Sequence, residues 1–356
     1  MRTWDVIVIG GGIIGLSLSI ELRRSGASVL VVERGEPGRE ASHAAGGMLV
    51  DCSAETPGVL QPLATASARM YPEFVHELEV ESGMKIDLRD QGTIFFPSVA
   101  HASQLGLPAL LPTELASLEP ALGVSDCPAF YLQERSVDPR GLASAAVKAA
   151  KHRGVDISSG DEVTAVNCSQ NSGQTHGIKV LTKKTSFFAP KVVNCAGAWS
   201  GQIAPHAFPT RPVKGQMLCL VAPSREFLKH VIRTAEVYLI PRSDGRILVG
   251  ATVEEAGFDK RTDVTTVQRL HRAAIALVPE LRDARILEDW AGLRPGTPDS
   301  LPLLGGTATP GYYVATGHFR DGILLAPITA RVMAQVVEGS ACNYDLKPFS
   351  PARFPQ

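Results

Sequence analysis

Residues 5–33 constrain the fold more than any other stretch. Val6-Ile7-Val8-Ile9 is an unbroken apolar run, as a parallel strand covered on both faces requires. It passes directly into Gly10-x-Gly12-x-x-Gly15 and a helix-compatible segment that ends near Ser25-Gly26, where glycine suits a helix C-terminus. Residues 28–32 read as a second strand delivering Glu33. In such a unit the first glycine permits the tight turn, the second lets backbone approach a pyrophosphate, and the third lets helix pack on strand. The helix start offers open N–H groups and a positive dipole end to phosphate, and Glu33 stands where a ribose-hydroxyl acceptor is expected. Glycine-rich turns also arise for conformational reasons alone, so the complete strand–turn–helix–acid context carries the reading. It does not say which dinucleotide is bound.

With 356 residues, 44% of them hydrophobic, the chain has material for more than one domain. A net charge of -1 and no Lys/Arg run longer than a pair remove the electrostatic basis for nucleic-acid binding. The six cysteines, at 52, 127, 168, 195, 219 and 342, include no CxxC pair and read as isolated thiols of a reducing compartment, with no metal site. The apolar start is broken by Asp5 and glycines, so neither a signal peptide nor a membrane span is expected. The expectation is a soluble, cytoplasmic protein.

Along the chain, Ala41-Ser42-His43-Ala44-Ala45-Gly46-Gly47-Met48 is rich in small residues, which suits backbone running against a flat ligand, although a plain loop has the same composition. His43 there is a candidate base or only a hydrogen-bond partner. Residues 64–82 carry Ala68, Tyr71, Phe74, Val75 and Leu78 at helical spacing. Residues 92–97 read as a strand, Thr113 as the N-cap of a short helix, and 142–152 as a helix after Asp138-Pro139. Residues 191–200 join a buried strand to a small-residue turn that returns to the nucleotide, with Cys195 a core thiol. Strand-like segments at 214–220, 236–241 and 246–253 suggest an antiparallel sheet in a second, substrate-covering domain. A helix at 265–282, a strand at 312–316, and a final helix opening at Gly322 and running from 323 to 338 complete the pattern.

At this point the chain resembles the D-amino-acid oxidase superfamily of flavoproteins, and most of all the bacterial glycine oxidases linked to thiamine biosynthesis. The resemblance rests on VIGGGIIG with Glu33, SHAAGGM at 42–48, VVNCAGAWS at 192–200, PVKGQ at 212–216, YLIPRSDGRILVGAT at 238–252, WAGLRPGTPD at 290–299 and GHFRDGILLAP at 317–327, in the family's order. It implies an α/β fold: a discontinuous Rossmann-like FAD domain (1–84, 138–206 and 292–356) beside a mixed- or antiparallel-sheet substrate domain (85–137 and 207–291). The implied cofactor contacts are Gly10, Gly12, Ile13, Ile14, Gly15, Glu33, Arg34, Ala41, Ser42, Gly46, Gly47, Met48, Val163, Gly197, Trp199, His318, Phe319, Arg320, Asp321, Gly322, Ile323 and Leu324.

The resemblance further implies oxidative deamination of glycine, sarcosine or small D-amino acids by hydride transfer to flavin N5, with O2 reduced to hydrogen peroxide. A dehydrogenase of the same fold that feeds a quinone or carrier, or a non-catalytic flavoprotein subunit, is the alternative. Arg294 matches the family's carboxylate-binding arginine; a guanidinium fork suits a carboxylate, while a structural ion pair is the plainer role. Tyr238 matches the active-site tyrosine, although a tyrosine packing the sheet would look the same. Strand alternation puts Tyr238 with Ile240 on one face and Val237 with Leu239 on the other. Arg320 joins Tyr238 and Arg294 as a catalytic and substrate-binding candidate, and Asp321 reads as a helix cap. Val253 stands where those glycine oxidases have methionine, and Ala44-Ala45-Gly46 where they have three alanines, which points to substrates larger than glycine. No cysteine lies between Cys219 and Cys342, so FAD is expected to be non-covalent. A homo-oligomer, with a tetramer among the options, is the implied assembly.

Overall fold

Strand Val6–Ile9 lies inside a six-stranded sheet of order Leu303–Gly306, Tyr312–Thr316, Lys191–Asn194, Val6–Ile9, Val29–Glu33, Asp156–Ser159. All neighbours are parallel except the first pair. The computed structural model describes residues 3–51, 56–98, 102–103, 105–123, 127–167 and 177–354; Cys52 and Cys168 lie outside them. Val6 and Val8 pack into a core shared with helices Ile13–Arg24, Gln61–Ser82, Pro139–His152 and Ala326–Glu338. Ile7 and Ile9 face a small antiparallel sheet formed by Val163–Asn167, Ile178–Thr182 and Ser186–Ala189. The strand is therefore apolar at every position because both its faces are covered.

A second, seven-stranded sheet runs Ile286–Gly296, Arg211–Val221, Arg246–Gly250, Tyr238–Pro241, Val231–Thr234, Thr93–Phe96, Phe130–Leu132. It is mixed rather than wholly antiparallel, since Val231–Thr234 pairs parallel with Thr93–Phe96. Leu218, Leu220, Leu239 and Val249 bury one face under helix Val264–Leu277. The opposite face carries Met217, Ile240 and Leu248, with Tyr238, Ala251 and Trp290 against them. The expected boundary between 291 and 292 falls inside strand Ile286–Gly296, which pairs along its length with Arg211–Val221.

Several local expectations need correction. The helix expected over 265–282 ends at Leu277, because Pro279 disfavours helical backbone at Val278, and a 3-10 turn, Pro279–Asp283, follows. Thr113 is not an N-cap. Helix Pro112–Leu118 starts with proline in its first turn, and the Glu114 carboxylate accepts the Leu111 N–H at 2.7 Å. Helix Pro139–His152 begins three residues earlier than expected, with the Asp138 side chain accepting the Arg140 N–H at 3.0 Å. The last helix starts at Ala326, not 323.

Candidate active site

A cavity of about 750 Å³ runs from the Gly10–Ile14 turn to the exposed side of Tyr238 and Arg294, between the two large sheets. At its nucleotide end, close packing explains the glycines. A Cβ on Gly10 would sit 2.5 Å from the Cys195 carbonyl oxygen, and one on Gly15 would sit 2.1 Å from that of Gly10. Gly15 thus serves the strand–helix contact and does not itself line the cavity. Ser42 Oγ accepts the Ile13 N–H at 2.9 Å. The Gly12 and Ile14 N–H groups have no partner among the described residues, and both residues line the cavity. Such open donors at a helix start fit a pyrophosphate. Glu33 lines the cavity while accepting the N–H groups of Gly11 at 2.7 Å and Gly35 at 2.8 Å. A carboxylate has about four acceptor sites, so capacity for a ribose hydroxyl remains. Beyond it, the Arg34 guanidinium lies 3.5 Å over the Trp199 ring and pairs with Glu40 at 2.6 Å; Val163 and Gly197 complete this end.

Where strand Tyr312–Thr316 ends, His318, Phe319, Arg320, Asp321, Gly322 and Ile323 turn along the cavity wall. Phe319 takes a positive φ of 45°. The N–H groups of Gly322, Ile323 and Leu324 are without hydrogen-bond partners among the described residues. The expected open donors are therefore present, but they come from a turn preceding the regular helix. Leu324 does not line the cavity: its side chain is buried in the core and its carbonyl accepts from Ser67 Oγ at 2.6 Å. Asp321 is not a side-chain cap. Its backbone carbonyl accepts the Leu325 N–H at 2.8 Å, and burial pushes its carboxyl up to about 6 despite nearby Arg320. His318 is 3% exposed, its Nε2 lies 3.1 Å from Thr329 Oγ1, and burial lowers its pKa to about 3. Its ring is neutral at working pH.

At the other end, one face of the seven-stranded sheet presents a row set by strand register: Trp290 opposite Met217, Met217 opposite Gly250, Gly250 opposite Tyr238, and Tyr238 opposite Arg233. Two residues beyond Gly292 and four beyond Trp290, Arg294 falls on the same face. Its guanidinium lies flat over Gly215, where a Cβ would come within 2.4 Å of Nη1. Nη1 donates to the carbonyls of Thr252 at 3.0 Å and Lys214 at 3.4 Å. Burial lowers the Arg294 pKa, with the Tyr238 phenol acting in the opposite direction. Burial likewise raises the Tyr238 phenol, an effect that Arg294 opposes; Tyr238 Oη is 3.8 Å from Met217 Sδ. The structure brings Tyr238, Arg294, Arg320 and Val253 to one cavity, but Val253 is 53% exposed, at the mouth and not the floor. At Gly46 a Cβ would come within 2.8 Å of Ile240 and 3.3 Å of the Tyr238 ring. The space freed by that glycine is thus filled by protein. Ala41, Ser42, Gly47 and Met48 line the wall beside it.

Sequence reasoning passed over Met217, Gly215 and Arg233 at this end. Their cavity role follows from cross-strand register, which residue type does not reveal. Arg233 is buried, 4.4 Å over Phe95 and 3.3 Å from Glu134. Cys195 lines the cavity but is a buried thiol that burial pushes upward, in keeping with a packing role.

A nucleotide turn at one end of the cavity and arginines with a tyrosine at the other fit a flavin-linked oxidoreductase. The chain belongs to the FAD dependent oxidoreductase family, whose model matches residues 5–336. It is similar to glycine oxidase of Pseudomonas aeruginosa, at 33% identity over 98% of each chain. The crystal structure of glycine oxidase from Geobacillus kaustophilus superposes with a TM-score of 0.93 at 31% identity, covering 100% of both chains. The present chain is also 37% identical, over 99% of its own length, to the bifunctional protein ThiO/ThiG of Synechocystis, and spans about half (54%) of that relative.

Proposed function

We propose that this enzyme oxidises glycine and other small amino acids or N-methyl amino acids to the imine, using O2 as acceptor, with FAD held non-covalently. The observation that carries the reading is Arg294: a half-buried cation, anchored through one nitrogen, beside Tyr238 in a cavity that continues to the nucleotide turn. With Nη1 engaged by backbone carbonyls, the other guanidinium nitrogens, beside the Tyr238 phenol, can meet a substrate carboxylate, and the planar group fixes its orientation. Tyr238 offers a phenol O–H that the raised pKa keeps protonated, able to donate to the same carboxylate. Met217, on the same sheet face as Tyr238, presents an apolar surface that keeps water from the Cα–H. FAD, when bound, supplies the two-electron acceptor that takes the hydride and passes the electrons to O2 as hydrogen peroxide. No general base is assigned: His318 is turned to Thr329, so the substrate amine binds neutral and the site works by orientation and electrostatics. The imine then hydrolyses in water.

The test is anaerobic addition of glycine, sarcosine, D-alanine, D-proline and bulkier D-amino acids to the purified yellow protein, followed by air. Loss of flavin colour and rapid peroxide formation support the reading. Loss of colour without peroxide would identify a dehydrogenase, and no change with any substrate would remove the amino-acid reading.

A further inference from the structure

We infer that Glu254 is a positioning residue for Arg294: its carboxylate fixes the backbone segment whose carbonyls hold the guanidinium, and thereby sets affinity for the substrate carboxylate. The inference rests on the reading of Arg294 given above.

Both carbonyls that accept from Arg294 Nη1 belong to residues that Glu254 holds. Lys214 and Glu254 exchange backbone hydrogen bonds, each N–H donating to the other's carbonyl at 2.9 Å. The Lys214 carbonyl therefore receives Glu254 from one side and Arg294 from the other. Thr252, whose carbonyl is the nearer anchor of Arg294, donates its hydroxyl to the Glu254 carboxylate, and that hydroxyl in turn accepts the Gln216 N–H at 2.8 Å. The carboxylate also accepts from Gln216 Nε2 at 2.9 Å and lies 3.8 Å from Lys214 Nζ. Gln216, Lys214 and Thr252 are all buried. Lys214 Nζ also donates to the Arg261 carbonyl at 2.5 Å, but among the described residues the Thr252 hydroxyl and Gln216 Nε2 donate to the Glu254 carboxylate alone, and an unpaired buried donor is costly.

Charge argues the same way. Lys214 is a buried cation and Arg294 a half-buried one on the adjacent strand, and the exposed Arg320 adds a third positive charge near Arg294. Glu254 is the carboxylate that acts on Arg294 in the favourable sense. Without it, like-charge repulsion would act on the guanidinium unopposed, and the Thr252 carbonyl would lose its lock. A shift of about 1 Å in a binding group can cost up to roughly a hundredfold.

The experiment compares FAD-loaded wild type, Glu254→Ala, Glu254→Gln, Glu255→Ala and Arg294→Lys. Steady-state kinetics with glycine are paired with flavin-absorbance titration by glycolate, which has the carboxylate but a hydroxyl in place of the amine. Glu254→Ala is expected to raise both the glycine KM and the glycolate Kd about tenfold, with kcat within about twofold. Glu254→Gln retains an acceptor but not the charge, and falls between. Glu255, exposed and paired with Arg211, should leave both unchanged when replaced. A role only in folding would lower FAD content and kcat without this split, and that result overturns the inference. Unchanged KM and Kd in both Glu254 variants, alongside a clear rise in Arg294→Lys, would also overturn it while leaving the Arg294 reading intact. If Arg294→Lys moves neither quantity, the Arg294 reading fails and the inference falls with it.

Discussion

Arg294 lies over a strand glycine, and the site depends on both. Two charge-assisted hydrogen bonds to a carboxylate are each worth about 1.5–3 kcal/mol. Arg294→Ala is therefore expected to lower kcat/KM for glycine by at least about a hundredfold, mainly through KM, in steady-state assays. Gly215→Ala places a methyl group where Nη1 now lies and should raise KM without altering the strand's hydrogen bonds. His318 gives a residue-level pH prediction. Its pKa in the folded protein, about 3, is below the unfolded value of about 6.5, so the unfolded chain binds the extra proton first. Stability is undiminished above about pH 6.5 and falls as pH drops toward 3. His318→Gln can keep a hydrogen bond to Thr329 and should flatten that part of the pH–stability curve in thermal melts. At this scale the glycine-rich turn was legible from its strand–turn–helix context, whereas Arg294 and Tyr238 were singled out by the resemblance of their motifs, since residue type alone left a structural ion pair and a packing tyrosine open. Sequence reasoning misread the Asp321 side chain as a helix cap and left the Leu324 side chain's burial unseen, because both depend on how the turn before Ala326 packs.

The nucleotide-end elements follow from local rules. A strand buried on both faces is apolar throughout, and the following helix can approach it only if Gly15 has no side chain. Gly15→Ala should yield protein with little bound flavin, read as the ratio of absorbance at flavin and protein bands. Asp138 caps helix Pro139–His152 and pairs with Arg246 at 3.1 Å. Burial opposes its charge, but Arg242, Arg246 and the Arg140 N–H hold its carboxyl below the usual range. Asp138→Ala should cost at least about 1 kcal/mol from the cap alone. Asp138→Asn should cost less, and a thermal melt of the two variants checks the order. Element ends were the least legible part. Helix Val264–Leu277 stops before Pro279, and the last helix starts at Ala326 after a turn wrapped on the cavity wall. In the first case a local proline was enough; in the second, tertiary contact overrode a pattern that reads as helix from 323.

For the whole molecule, the cavity between the two large sheets means that cofactor binding joins the halves. FAD at a hundred times its Kd should stabilise the fold by about 2.7 kcal/mol, seen as a melting temperature that climbs with FAD concentration; a temperature indifferent to FAD would contradict a cavity built between the halves. The sequence by itself determined the βαβ start, the alternation that turns Tyr238 and Ile240 to one face, and the residues that carry charge or accept close backbone approach. These are properties of neighbours in the chain, set by side-chain size and period. Only the tertiary structure decided that Met217, Gly215 and Arg233 stand beside Tyr238 and Arg294, that Val253 sits at the mouth, and that Glu254 holds the backbone on which Arg294 rests. Those relations are fixed by the register of strands far apart in sequence and by which helix face a sheet buries, and pairing across such distances leaves no trace in local composition.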